Sequence, residues 1–161
     1  MAASVATIDY MRDTISERSL QAEVRSASAH GDELLVSQRP TWFEGAATRL
    51  LALMDLAPNW DSYGGRPVSL ATASHAFQLL TRLCDFGLPA PRLVPTAPGG
   101  VQFEWDVEGV ELELELEPGG GMVAIFDDAQ RGESWERELP PSDLLPIEVA
   151  LRRLVHVGHT R

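Results

Sequence analysis

The chain has 161 residues, 44% of them hydrophobic, with 24 acidic residues against 13 basic ones and a formal charge of −11. All thirteen basic residues are Arg, which excludes Schiff-base and phosphate-loop lysine chemistry, and the acidic balance argues against direct nucleic-acid binding, which needs a net positive surface. One Cys excludes an intramolecular disulfide and a multi-cysteine metal cage, and with neither a membrane-length apolar run nor a basic-then-apolar leader the expectation is a soluble, cytoplasmic protein without membrane association.

Residues 1–38 contain no Pro and are rich in Ser and Ala. Ile8, Met11 and Ile15 recur at helical spacing, and Leu34 to Val36 fit a short strand. This stretch reads as an N-terminal extension, partly helical or flexible, and 39–161 as a single domain. From Thr41, an N-cap type, Phe43, Ala46, Ala47, Leu50, Leu51, Leu53, Met54 and Ala57 keep a helical period, with Pro58 as the expected stop. Ser69 caps a second helix with the stripe Ala73, Ala76, Phe77, Leu80, Leu83 and Cys84. Thr72, Gln78 and Arg82 fall outside that stripe, and Gly87 closes the helix.

After Pro89 the period becomes two. Val101, Phe103, Trp105 and Val107 alternate with polar residues, as do Val110, Leu112, Leu114 and Leu116, around a short turn at Glu108-Gly109. Met122 to Phe126 and Trp135 to Leu139 supply a third and a fourth strand. Ser142 opens a last helix with Ile147, Ala150, Leu151 and Leu154 on its apolar side and Arg152 and Arg153 towards its C-terminal end. The order predicts an α+β, two-layer fold: an antiparallel meander of three to four strands packed against two or three helices.

Residues 101–140 hold 12 of the 24 acidic residues and only two arginines, so nearly all the excess charge falls on the meander. Pairing Val107 with Val110 sets Asp106 against Glu111 and Glu104 against Glu113, and like charges directly opposite destabilise a sheet. Either this is a solvated face that keeps the protein soluble and blocks edge pairing, or it is a docking face for a basic partner. The partner-binding set on this reading is Glu104, Asp106, Glu111, Glu113 and Glu115. A flat ladder lacks the loop carbonyls of an oxygen cage, so no metal is expected. Glu104 with Glu113 or Glu115 fails as a glycosidase pair, because an open face desolvates neither carboxyl.

The segment from Pro58 to Pro67, PNWDSYGGRP, holds the only Asn. Trp60 can plug the core while Asp61 and the glycines build a turn. Alternatively Trp60, Asp61, Tyr63 and Arg66 form a recognition site, since Trp, Tyr and Arg dominate binding hot spots. Together with PTAPGGVQFEW, Pro95 to Trp105, this loop resembles the NWD-x-YG-x-x-P and PT-x-x-GGVQ-x-EW signatures of a group of small, uncharacterised bacterial proteins. The resemblance spans about Trp42 to Leu139, with Ser62 and Gly65 where the group often has Gly and Ala. It implies no catalytic residues, and it implies an association with bacterial defence or toxin–antitoxin loci.

No nucleophile elbow, cofactor motif or metal-ligand spacing stands out; His75 beside Ser74 diverges from it on a helix, and His156 with His159 lacks an acidic third ligand. The reading is a non-catalytic acidic binding protein without cofactor. Its partner would be a basic protein, and its role that of an inhibitor or antitoxin-like subunit masking a nucleic-acid-binding or nuclease protein. The alternatives are a small-ligand-binding domain or enzyme at the Trp60–Pro67 loop, with Asp61 as its acid, and a structural accessory subunit of a bacterial complex.

Overall fold

The computed structural model describes residues 40–83, 87–140 and 143–158. The expected helix at 8–15, the strand at 34–36, Cys84, Ser142 and His159 lie outside the described residues. The elements in chain order are α1 (Trp42–Met54), α2 (Leu70–Leu83), β1 (Arg92–Pro95), β2 (Val101–Val107), β3 (Val110–Leu116), β4 (Met122–Asp128), β5 (Glu133–Leu139) and α3 (Leu145–Gly158). The strands form one antiparallel meander in the order β1-β2-β3-β4-β5, and the helices pack on one face of it, α1 on β1, α2 on β2, and α3 on β2 and β3. This is the α+β, two-layer arrangement expected, with five strands instead of three or four.

The strand missed from the sequence is β1, four residues reading RLVP. It is too short to show alternation, and prolines at 89, 91 and 95 argue against a central strand. Proline is admitted at a sheet edge, and β1 is the edge, paired on one side only through Arg92↔Glu104 to Pro95↔Val101. Its outward side is partly covered, for Arg49 of α1 donates to the Leu93 carbonyl at 3.3 Å.

The central register is as read: Val107 opposite Val110, Asp106 opposite Glu111 and Glu104 opposite Glu113. Glu108 and Gly109 make the two-residue turn with φ of 52° and 77°, the double left-handed conformation that follows the natural strand twist. On the helix side Val101, Phe103, Val110, Leu112 and Leu114 are completely buried. Each such side chain contributes about 1.5–3 kcal/mol through burial, and together they fix which face of every strand turns inward.

Local differences from the sequence reading have local causes. Thr41 makes no side-chain cap; the entrance to α1 is held by the Phe43 N–H on the Pro40 carbonyl at 3.0 Å. α1 ends at Met54, before Pro58: the Asp55 N–H makes the closing helical bond to the Leu51 carbonyl, and the returning chain takes the Leu53 carbonyl through the Val68 N–H, both at 3.3 Å. Ser69 does cap α2, its Oγ accepting the Thr72 N–H at 3.1 Å. That also explains why Thr72 is buried, contrary to the stripe: its hydroxyl lies 2.9 Å from the Ser69 hydroxyl and is satisfied inside. In α3 the first turn is served by Asp143, whose carboxylate accepts the Leu145 N–H at 3.3 Å.

Arg153 does not serve the end of α3. It crosses to the sheet and donates from Nε to Asp128 Oδ2 at 2.6 Å. Asp128, the last residue of β4, is fully buried and also accepts the amides of Gln130 and Arg131 at 3.0 and 3.1 Å. The Arg153 guanidinium holds the Asp128 carboxyl below its ordinary value of 3.8, more than desolvation raises it. A lowered carboxyl adds stability above the ordinary value and loses it as pH falls through the folded-state value. The Asp128→Asn variant, which leaves Arg153 without a countercharge, is expected to melt several degrees lower at neutral pH. Thermal melts should also show a flatter loss of stability below pH 3.8 than the parent; equal melting temperatures and equal pH slopes would contradict this role.

Candidate functional site

With the inner face fixed by burial, the outward side chains fall into rows across the sheet. One row reads Asp106–Glu111–Asp127–Ser134, the next Arg92–Glu104–Glu113–Ile125–Glu136, and the third Val94–Gln102–Glu115–Val123–Glu138. All five acidic residues singled out from the sequence therefore share one face. The sequence reading did not include Asp127, Glu136 and Glu138, which extend the charge over β4 and β5. It also left out Val123 and Ile125, because β4 (MVAIFDD) is apolar on both faces and its period assigns no direction. Ile125 is 42% exposed in the middle of the carboxylates.

The carboxylates are not equivalent. Glu104 pairs with Arg92 and its side chain is largely covered. Glu113 accepts from Gln102 Nε2 at 2.8 Å. Asp106, Glu111 and Asp127 have no ion pair or side-chain hydrogen bond among the described residues. Glu111 stands between the other two, so this row sets three like charges side by side without a cation.

The row also borders a notch. β1 stops at Arg92, opposite Glu104, so the β2 edge beyond it is bare. The incoming chain is held aside by two indoles: Trp42 Nε1 donates to the Leu88 carbonyl at 2.8 Å and Trp105 Nε1 to the Pro89 carbonyl at 3.1 Å. A depression of about 410 Å³ results, lined by Pro89, Arg92, Glu104, Asp106, Glu111 and Glu113 among others. Four of the five singled-out carboxylates line it, while Glu115 lies on the open sheet. Its shape and charge suit an inserted Arg or Lys side chain. Among the described residues no group of three or more His, Cys, Asp or Glu is arranged to hold a metal ion.

The Trp60 loop is built differently. Asn59 and Ser62 both take left-handed backbone angles, φ 65° and 66°, and the loop's polar groups bond to the loop itself. Asn59 Oδ1 accepts the Gly64 amide at 2.7 Å, and Asp61 Oδ1 accepts the Tyr63 and Gly65 amides, each at 2.8 Å. These two amides hold the Asp61 carboxyl below its ordinary range, the direction opposite to that of a general acid. Trp60 Nε1 donates to the Arg66 carbonyl at 3.1 Å. The loop then locks onto the β1–β2 connection, with the Arg66 amide on the Ala97 carbonyl at 2.9 Å and Gly99 against the Pro67 carbonyl. The two signature segments of the sequence thus form one junction. Tyr63 is 93% exposed and Arg66 is exposed, which leaves them outward-facing, but no hydrogen bond or ion pair among the described residues joins this loop to the acidic face.

No helix among the described residues is long and apolar enough to cross a membrane. No protein-family model matches the chain, and no curated protein or solved structure matches it significantly.

Two expectations follow. Glu111→Gln removes two like-charge contacts and should raise stability by about 0.5–1 kcal/mol in urea unfolding; a loss of stability would show that the row is not repulsive. Gly65→Ala would put a Cβ 2.7 Å from the Asp61 carboxyl carbon, forcing that carboxylate off its amides. It should cost about 1–3 kcal/mol, and an unchanged urea midpoint would contradict the bonding assigned to Asp61.

Proposed function

We propose that the protein is a non-catalytic acidic binding protein whose outer sheet face docks a basic protein. The observation that carries this reading is the unrelieved row Asp106–Glu111–Asp127. Folding gains nothing from three carboxylates set opposite each other, and one Lys or Arg on β3 would relieve them. A surface that keeps a destabilising arrangement is best explained by a use for it. The apolar pair Val123 and Ile125 supports the same reading. Solubility alone would favour polar residues there, whereas an interface uses apolar contact surrounded by charge.

The narrower form is an inhibitor or antitoxin-like subunit that masks a nucleic-acid-binding or nuclease partner. Spacing favours it, because carboxylates on one strand face repeat every ~7 Å, close to the separation of successive phosphates on a nucleic-acid strand. The resemblance of the loop and hairpin to bacterial proteins of defence and toxin–antitoxin loci points the same way. On this reading Glu104, Asp106, Glu111, Glu113 and Glu115 attract and orient the partner, the notch beside Arg92 takes one of its cationic side chains, and Tyr63 and Arg66 are outlying contacts.

The partner is sought by pull-down from the native host at low salt, with salt elution and mass spectrometry. A stoichiometric basic protein released by salt is the expected result. The triple reversal Glu111→Arg, Glu113→Arg and Glu115→Arg should then weaken that complex by more than about a hundredfold, and affinity should fall as salt rises. Circular dichroism checks that the variant is folded. An affinity unchanged by the triple reversal would overturn the proposal.

A further inference from the structure

The two edges of the sheet are treated differently. β1 is four residues long, flanked and ended by proline, and has Arg49 on its Leu93 carbonyl. β5 is seven residues long and contains no proline. It pairs with β4 in unbroken register from Met122↔Leu139 to Asp128↔Glu133. On its other side no backbone hydrogen bond is made among the described residues. Beside it, on the helix side, the space between β5 and α3 is an open groove of about 590 Å³. Trp135 stacks on Phe126 at 5.4 Å there, with Arg137 over its ring at 5.1 Å. Leu145 and Val149 of α3, which also line the groove, are 65% and 61% exposed. A long, unbulged edge next to exposed apolar side chains is the arrangement on which another strand adds.

We infer that the occupant is β5 of a second copy, paired antiparallel about a two-fold axis at Trp135. The argument is charge complementarity. In a two-fold antiparallel pair, the residue on the axis meets itself and its neighbours meet symmetrically. With Trp135 on the axis, Glu133 faces Arg137 of the second copy, and Arg137 faces its Glu133. Ser134 faces Glu136, Gly132 faces Glu138, and Arg131 faces Leu139. No like charges stand directly opposite each other. Centred on Ser134, Arg131 would face Arg137. Centred on Glu136, Arg137, Glu138 or Glu133, that residue would face its own copy. Among axes on residues 133–138 only Trp135 avoids a directly opposed like-charge pair, and it also sets two indoles together on the helix side, next to the exposed Leu145 and Val149 of each copy. Cross-strand aromatic and opposite-charge pairs are the contacts that stabilise such a junction.

The dimer would be a single ten-stranded sheet with both acidic faces on the same side. It is independent of the basic partner proposed above, since it uses the edge and not the face.

The test is sedimentation equilibrium on the 161-residue chain over about a hundredfold range of concentration. A concentration-dependent dimer is expected. Glu133→Arg and Arg137→Glu should each weaken it by about tenfold or more, because symmetry repeats the substitution at two pairs. The double swap Glu133→Arg/Arg137→Glu should restore it. Oxidative cross-linking gives a second readout: Trp135→Cys should yield a disulfide-linked dimer, while Glu138→Cys, whose two copies lie far apart in this register, should yield no more than the parent chain. A monomer at every concentration would overturn the inference, as would a dimer weakened by the double swap as much as by the single changes, or equal cross-linking at positions 135 and 138.

Discussion

The structure depends on a constraint more than on any one bond: the meander has only one face that can be buried. Because side chains alternate along a strand, placing Val101, Phe103, Val110, Leu112 and Leu114 under the helices sends every intervening residue to the other side. The carboxylates are therefore gathered by the same packing that makes the core. The hydrophobic gain sets the register and the electrostatic cost accompanies it, since a fully buried Leu outweighs a cross-strand repulsion by severalfold. A one-residue slip would relieve Glu111 but would expose the entire apolar set. The acidic face is stable for that reason, although its members repel each other.

Much of this was legible in the sequence because β2 and β3 carry the clearest signal a strand can give. Strict alternation over two seven-residue runs, joined by Glu108-Gly109, leaves one register, and the register puts Asp106 beside Glu111. Legibility ends where the pattern does. β1 has too few residues and too many prolines to declare itself. β4 is apolar on both faces, so its outward Val123 and Ile125 look like core until its neighbours are known. Asp128 and Arg153 are 25 residues apart; no local rule links a carboxylate at a strand end to a guanidinium midway along a later helix. The Trp60 loop was legible in kind and not in use: the turn-forming residues were evident, whereas the engagement of Asn59 and Asp61 by neighbouring amides depends on the fold of the loop.

Two polar constructions hold the layers in place around this sheet, one at each end. At the β4–β5 end, Asp128 joins α3 to the turn that follows it, and Gln130 extends the link, accepting from Arg153 at 3.0 Å and donating to the Glu108 carbonyl at 2.7 Å. At the other end the Trp60 loop fastens the α1–α2 connection to the β1–β2 turn. Both work by satisfying backbone groups that have no ladder partner, the requirement that falls on any chain leaving a sheet. The charge of Asp128 is buried and paired and that of Asp61 is held by the loop's own amides, whereas Asp106, Glu111 and Asp127 on the open face have no side-chain partner among the described residues.

The meander also determines the order in which the protein can assemble. Every strand pairs with its neighbour in sequence, so the sheet needs only short loops to close and can zip up hairpin by hairpin, at little entropic cost. α3 comes after all five strands, yet it covers β2 and β3 and brings Arg153, whose Nε donates to Asp128 at 2.6 Å, closer than Arg131 at 3.8 Å. A sheet formed before α3 docks would leave Leu112 and Leu114 open to water and Asp128 with only the more distant Arg131, at 3.8 Å, as its countercharge. Docking of α3 is thus the step that closes the core, and a sheet without it would keep the inner face of β2 and β3 exposed.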